Sequence, residues 1–184
     1  MKITGIILAG GKSSRMGTDK GLAQYNNIPM IAHVIKALKP ITDDVIIVTS
    51  NDQYNTFGYP VIADLIKDSG PLAGLYTGLF HSKNELNVCL SCDIPLISTE
   101  IILRLTETIK KKDAAIALHS NKIHPLIGVY KKHNYANAKK QIEQGNLRLK
   151  DFLNIINTHL EDVSDFNKSM FNNINTLKEL NETI

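Results

Sequence analysis

The sequence predicts an α/β protein with three layers, in which helices cover both faces of a mostly parallel β-sheet. Short apolar runs, such as residues 3–8 and 45–48, are typical of strands that are buried on both faces. Segments with apolar residues at helical spacing separate such runs along most of the chain. At 184 residues, with 43% hydrophobic and 21% charged residues, the chain is predicted to form a single domain over residues 1–184.

The first half of the chain begins with the strand at residues 3–8. After a glycine-rich loop, a helix is predicted to begin at Pro29, because proline suits the first helical position, and to end before Pro40. A buried strand follows at residues 45–48, and the polar residues 49–59 form a loop with room for a short helix. Residues 60–62 form a short strand that leads to Asp64, and a tight turn at residues 70–74 opens a helix through Leu79.

The second half continues the alternation of strands and helices. Further strands are predicted at residues 87–91, 114–118, 126–130, 158–163 and 171–174. Helices are predicted from Ser98, a capping residue, to about residue 112, then at residues 134–144 and 149–156. Gly145 ends the second of these helices, and a capping box at residues 176–179 begins a final one.

The loop at residues 8–20, LAGGKSSRMGTDK, has the composition of a phosphate-binding loop. Its glycines let the backbone approach a bulky anion, successive N–H groups form an anion-binding concavity, and Lys12, Arg15 and Lys20 add positive charge. The loop is not a Walker A motif, since Ile6 stands where the first glycine belongs. It is not a dinucleotide fingerprint either, since Lys12 replaces the second glycine.

Ligands of such sheets bind beyond the carboxyl ends of the strands, which places residues 10–20, 64–74 and 92–95 at one edge. Asp93 follows a buried strand at this edge, beside the predicted phosphate loop. It suits Mg²⁺, which takes one or two carboxylates together with phosphate oxygens. The alternative is a carboxylate that only stabilises a turn.

Composition restricts the remaining possibilities. The net charge of +3 is too weak to indicate nucleic-acid binding, and no apolar run approaches the ~20 residues of a membrane span. The N-terminus lacks a signal-peptide pattern, so we expect a cytoplasmic protein. Cys89 and Cys92 are three apart on a predicted strand and point to opposite faces, so they are expected to be buried thiols without a metal.

The pattern L-A-G-G-x-S-x-R-M-G-x-D-K, filled here by residues 8–20, is the signature of a family of nucleotidyltransferases. Its other motifs follow in order: Asp64, then G-P-L-x-G at residues 70–74, C-D-x-P at 92–95, H-P at 124–125 and N-I-N-T at 173–176. The chain therefore resembles the molybdenum cofactor guanylyltransferase family, with its Rossmann-like nucleotidyltransferase fold. It departs from the pattern at Leu177, often a proline, and at Val48, where some relatives carry a nucleotide-binding Asn for which Asn51 lies close.

The resemblance implies a Mg²⁺-dependent transfer of GMP from GTP to the terminal phosphate of molybdopterin, with release of pyrophosphate. It implies that Asp93 holds Mg²⁺ and the nucleotide phosphates, and that Lys20 and Arg15 offset phosphate charge. The remaining nucleotide contacts that it implies are Leu8, Ala9, Gly10, Gly11 and, at the nucleoside end, Asp64. Candidates for the acceptor site, or alternatively solvated surface residues, are Lys122, His124, Arg148 and Lys150.

Several alternatives stay open at this stage. The same loop serves enzymes that transfer CMP to molybdopterin or nucleotides to other phosphorylated small molecules, although the N-I-N-T motif favours GTP. A nucleotide-binding protein that has lost catalysis and handles the cofactor is a third possibility. The expected partners are GTP, molybdopterin, other proteins of molybdenum cofactor biosynthesis and the acceptor apoenzymes, but neither nucleic acid nor membrane.

Overall fold

The computed structural model of the protein describes residues 2–10 and 19–174. Over these residues the main strands and helices follow the predicted alternation. The strands are β1 (Ile3–Leu8), β2 (Gln24–Tyr25), β3 (Ile28–Pro29), β4 (Asp44–Val48), β5 (Val61–Ile62), β6 (Leu86–Ser91), β7 (Ala114–His119), β8 (Lys122–Lys131) and β9 (Thr158–Asp162). The α-helices are α1 (Met30–Leu38), α2 (Gly70–His81), α3 (Thr99–Thr108), α4 (Asn134–Glu143) and α5 (Leu149–Ile155).

Seven of the described strands form one sheet in the order β5-β4-β1-β6-β8-β7-β9. The pairs β1–β4, β1–β6, β4–β5 and β7–β9 are parallel, whereas β8 runs antiparallel to both β6 and β7. All six residues of β1, at the centre of the parallel part, are buried. The prediction of an α/β fold with a mostly parallel sheet is therefore confirmed.

Helices pack on both faces of the sheet and give the three predicted layers. Alternate residues of β1 point to opposite faces, so that Ile7 joins a core with α1 and α3, while Ile6 joins a core with α2, α4 and α5. The apolar spacing of α1 explains its place, because Ile31, Val34 and Leu38 are all completely buried. Burial of apolar side chains on both faces is what holds the sheet between the two helical layers.

Two hairpins depart from the predicted elements. Strand β8 begins at Lys122 rather than at residue 126, because a two-residue turn at Ser120 and Asn121, with φ of 48° and 64°, joins it to β7. The pair His124–Pro125 lies inside β8, where the register of β7 against β8 shifts, and such an irregularity accommodates a proline. The short β2–β3 hairpin turns at two asparagines with positive φ and was not predicted from the sequence.

The predicted strand at residues 171–174 is wrong. Lys168–Phe171 forms a 3₁₀ helix, and the Ile174 N–H donates to the main-chain oxygen of Asp93 at 2.9 Å instead of joining the sheet. The predicted helix that begins at residue 176 lies outside the described residues. Helix α3 ends at Thr108, four residues earlier than predicted, and the chain turns at Lys110, where φ is 33°.

Helix α2 lies so close to β1 that residue 78 has no space for a side chain. A Cβ atom on Gly78 would overlap Cγ2 of Ile6 and would lie 2.9 Å from its Cδ1. Ile6 is completely buried, so it has no free space into which to move. The glycine therefore fixes the distance between this helix and the central strand.

We expect Gly78→Ala to lower the free energy of unfolding by about 1–3 kcal/mol through overpacking, although alanine is the better helix former. Urea denaturation measures the change. In a double-mutant cycle with Ile6→Ala, the free energies of unfolding lost by the two single variants should sum to more than the free energy lost by the double variant. Full additivity would contradict the proposed contact.

Candidate active site

The carboxyl ends of the adjacent parallel strands β4, β1 and β6 meet at one edge of the sheet. Just beyond this edge, the Ala9 N–H donates to Val48 O at 3.0 Å and the Cys92 N–H donates to Leu8 O at 3.1 Å. The chain thus leaves β1 at Gly10 with the segments after β4 and β6 on either side. This arrangement is where a parallel sheet binds its ligand.

The structure brings Lys20 and Asp93 together at this edge. Lys20 Nζ lies 3.9 Å from Asp93 Oδ2, and the two side chains are 29% and 8% exposed. Lys20 begins the 3₁₀ helix Lys20–Leu22, and Asp93 comes two residues after the end of β6. The predicted site residues Arg15 and Gly11 lie outside the described residues.

Two hydrogen bonds hold the carboxylate of Asp93 by one of its oxygens. Ser91 Oγ donates to Oδ1, and Asn173 Nδ2 donates to the same oxygen at 3.1 Å. The Ile174 N–H also binds the main chain of Asp93, so the C-terminal segment fixes both the backbone and the side chain. Oδ2 is left facing Lys20.

A single fixed carboxylate such as that of Asp93 is compatible with a Mg²⁺ ion shared with a substrate. Mg²⁺ is usually bound by one or two carboxylates plus phosphate oxygens and water, rather than by a cage of protein ligands. Among residues 2–10 and 19–174, no group of three or more His, Cys, Asp or Glu side chains could enclose a metal ion. The single fixed carboxylate therefore fits an ion that arrives with a phosphate ligand.

A cleft of about 960 Å³ adjoins this edge. The described residues that line it come from the ends of β1 and β6, from the chain after β5 and from the start of α2. They include Leu8, Gly10, Asp64, Gly70, Gly74 and Ser91. A Cβ atom on Gly10 would lie 3.7 Å from Asp64 Oδ2, so the backbone of the predicted phosphate loop passes close to this carboxylate. Leu8, Gly10 and Asp64, three of the predicted nucleotide contacts, thus line one cavity.

Asp64 lacks a protein partner for one of its oxygens. Oδ1 is buried and makes no hydrogen bond to any described residue. Burial raises the pKa of this carboxyl group above its ordinary value of 3.8. A buried oxygen without a donor costs folding free energy. The carboxylate of Asp64 lines the cleft, where a base N–H or a ribose hydroxyl is a donor that it could accept from.

The acceptor candidates in the second half are not all cations. His124 is buried, with its ring centroid 5.2 Å from that of Phe171. Burial, followed by the positive charges of Lys122, His119 and Lys150, lowers the pKa of His124 to about 4. His124 is therefore neutral at physiological pH and can offer hydrogen bonds but no charge. The other three candidates, Lys122, Arg148 and Lys150, are exposed.

The sequence did not predict the contacts that hold Asp93. The signal for Asn173 was present in the N-I-N-T motif, but its partner lies 80 residues away in the chain. Asn51 is not placed like a nucleotide ligand, because Nδ2 donates to Asp19 Oδ2 at 3.1 Å and Oδ1 accepts from the Gln53 N–H. Ser50, its neighbour, lines the cleft instead.

Cys89 and Cys92 are both buried and unbridged, and they face opposite sides of the sheet as predicted. Burial raises the pKa of Cys89 to about 12 and also raises that of Cys92. Both thiols therefore stay protonated and unreactive.

Of the helices in the described part of the chain, none is both long and apolar enough to cross a membrane.

Asp64→Asn should stabilise the protein at pH 7, because ionising this buried carboxyl group costs folding free energy. Since its folded pKa is raised, that cost is absent below the unfolded value of 3.8 and grows as the pH rises through the folded pKa. The gain in melting temperature should therefore be largest at neutral pH and shrink toward pH 4, whereas GTP affinity should fall about tenfold or more. Asp151→Asn, which removes an exposed carboxylate outside the cleft lining, is the control; an equal gain in that variant would contradict the assignment.

Comparison with known proteins agrees with this geometry. The family described as the MobA-like NTP transferase domain matches residues 5–162. A protein of Flavobacterium johnsoniae, named as a probable molybdenum cofactor guanylyltransferase, is 39% identical over 181 residues, which are 98% of this chain and 95% of that protein. The molybdenum cofactor guanylyltransferase of Yersinia pestis is 35% identical over 178 residues, or 95% and 91% of the two chains.

The solved structure of molybdopterin-guanine dinucleotide biosynthesis protein A from Archaeoglobus fulgidus has the same fold. Its TM-score is 0.81 at 24% identity, and the match covers 97% of this chain and 95% of that one. The family match extends over most of the chain and includes β1, β4, β5 and β6. The chain therefore belongs to the MobA-like NTP transferase family.

Proposed function

We propose that this protein transfers GMP from GTP to the terminal phosphate of the molybdopterin cofactor and releases pyrophosphate. The names of its relatives support the substrates. The observation that carries the proposal is the Lys20–Asp93 pair, with Nζ and Oδ2 3.9 Å apart. The pair adjoins the cleft through Ser91, which lines the cleft and donates to Asp93 Oδ1. The product would pass to other proteins of cofactor biosynthesis or to the apoenzymes that use it.

The chemistry requires no general base. A phosphomonoester has a second pKa of about 6, so the acceptor phosphate is already a dianion at neutral pH. One of its oxygens attacks the α-phosphorus of GTP in line, the new P–O bond forms, and the bond from the α-phosphorus to the bridging oxygen breaks. Catalysis then consists of positioning the two phosphates and offsetting their charge.

The residues at the edge would divide this work. The Lys20 ammonium and, outside the described residues, Arg15 would offset charge on the α-phosphate and the leaving pyrophosphate. The backbone of Leu8, Ala9, Gly10 and Gly11 would bind the nucleotide where β1 ends. Asp64 would accept a hydrogen bond from the nucleoside through its carboxylate, which lines the cleft.

Asp93 would hold Mg²⁺, which proteins commonly bind with one or two carboxylates together with substrate phosphates. When bound, Mg²⁺ would neutralise part of the charge on the triphosphate. The fixed orientation of the carboxylate, with Oδ1 held by Ser91 and Asn173, leaves Oδ2 as the oxygen presented to the site. Lys20 is close enough to exchange its contact with Asp93 for one with a phosphate.

The reaction is tested by incubating the protein and Mg²⁺ with GTP or CTP, with and without molybdopterin, and measuring pyrophosphate. We expect release with GTP only when molybdopterin is present, together with a dinucleotide product identified by mass spectrometry. Faster reaction with CTP would identify a cytidylyltransferase. Tight nucleotide binding without pyrophosphate release would indicate a protein that handles the cofactor without catalysis.

Asp93→Asn should reduce Mg²⁺-dependent pyrophosphate release by about 10²–10³-fold, because it removes the metal-binding charge and retains the shape. The variant should fold, as Asn can still accept hydrogen bonds from Ser91 and Asn173. Glu107→Gln, which removes an exposed carboxylate on α3, is the matched control and should retain the wild-type rate. A folded Asp93→Asn protein with wild-type rate and wild-type Mg²⁺ dependence would remove Asp93 from the mechanism.

A further inference from the structure

Tyr54 is completely buried beside the candidate active site, although it lies in the polar segment after β4. Its hydroxyl donates a hydrogen bond to Oδ1 of Asp19. Tyr54 lies in the 3₁₀ helix Asp52–Phe57, 35 residues away from Asp19 in the chain. The contact therefore joins two segments that the fold brings together next to Lys20.

The carboxylate of Asp19 is held from three sides. Besides the Tyr54 hydroxyl, Asn51 Nδ2 donates to Oδ2 at 3.1 Å and the Gly21 N–H donates to Oδ1 at 3.2 Å. Asp19 is the N-cap of the turn whose first residue is Lys20. Fixing Asp19 thus fixes the direction in which the backbone presents the Lys20 side chain.

The same hydroxyl also meets the segment that carries Asp93. A Cβ atom on Gly21 would overlap the Tyr54 hydroxyl oxygen and would lie 3.0 Å from Cys92 Sγ, so these three residues converge on one point. Cys92 directly precedes Asp93. Tyr54 therefore packs against the immediate neighbours of both Lys20 and Asp93.

The Tyr54 hydroxyl is a lasting hydrogen-bond donor because it stays protonated. Burial, followed by the neighbouring Cys92 and Asp19, raises the pKa of the phenol far above its ordinary value of 10.0. The hydroxyl keeps its proton throughout the physiological range, and Asp19 remains its acceptor. Because it is buried and its hydroxyl donates to Asp19, Tyr54 is suited to hold that residue rather than to transfer a proton.

We propose that Tyr54 is a positioning residue for nucleotidyl transfer, which sets the place of the Lys20 ammonium relative to Asp93 through Asp19 and Cys92. The proposal rests on the proposed function. Small displacements of charge-offsetting groups can cost about 10²-fold in rate. Nucleotide binding, by contrast, would be shared with Leu8, Gly10 and Asp64, which line the cleft.

The test compares Tyr54→Phe with Tyr130→Phe. Each variant loses one hydroxyl from a completely buried tyrosine, and the Tyr130 hydroxyl donates to Pro125 O at 2.6 Å rather than to the Lys20 segment. We expect similar falls in melting temperature. We expect kcat of Tyr54→Phe to fall about 10- to 100-fold with KM for GTP within about threefold, and kcat of Tyr130→Phe to stay within about twofold.

Asn51→Ser provides a second route to the same question if Tyr54→Phe does not fold. Serine can still cap the helix at residue 51 but loses the amide that donates to Asp19, so kcat should fall without a large change in stability. Wild-type kcat in a folded Tyr54→Phe protein would overturn the inference. If only Asn51→Ser folds, wild-type kcat in that variant would do the same. Equal losses of kcat in both tyrosine variants would also overturn it. An inactive wild-type protein would instead reject the proposed function.

Discussion

The site depends on one electrostatic contact, a lysine ammonium 3.9 Å from a carboxylate at the carboxyl end of a buried sheet. Each partner is fixed by a different part of the chain. Asp93 follows β6 and is held by Ser91 and Asn173, whereas Lys20 begins a turn capped by Asp19. Because β1 lies between β4 and β6, the sheet order itself brings these segments to the same edge as the cleft.

The edge carries polar groups that folding alone does not favour. Asp64 keeps a buried oxygen without a protein partner, and burial disfavours its charged form. Such a group is consistent with selection for binding at some cost to stability. Its position opposite Gly10, in the same cleft as the first turn of α2, agrees with the nucleotide contact that we propose for Asp64.

Local patterns were sufficient to predict the parallel part of the sheet, because β1, β4 and β6 each contain at least three consecutive apolar residues. They also located Lys20, Asp64 and Asp93, since each follows a strand or a glycine loop. Non-local contacts could not be predicted in this way. Residues 171–174, which begin with Phe171 and end with Ile174, were predicted to form a strand, but the N–H of Ile174 binds Asp93. The Tyr54–Asp19 bond spans 35 residues without any sequence signal.

The most direct test of the account is the position of the metal ion in a crystal structure with GTP and Mn²⁺ in place of Mg²⁺. Anomalous scattering locates manganese independently of the protein model. We predict a peak against Asp93 Oδ2 that also contacts the triphosphate, with Lys20 moved from Asp93 to a phosphate oxygen, and no peak in crystals of Asp93→Asn. An ordered triphosphate whose manganese lies away from Asp93 would contradict the central role of this carboxylate.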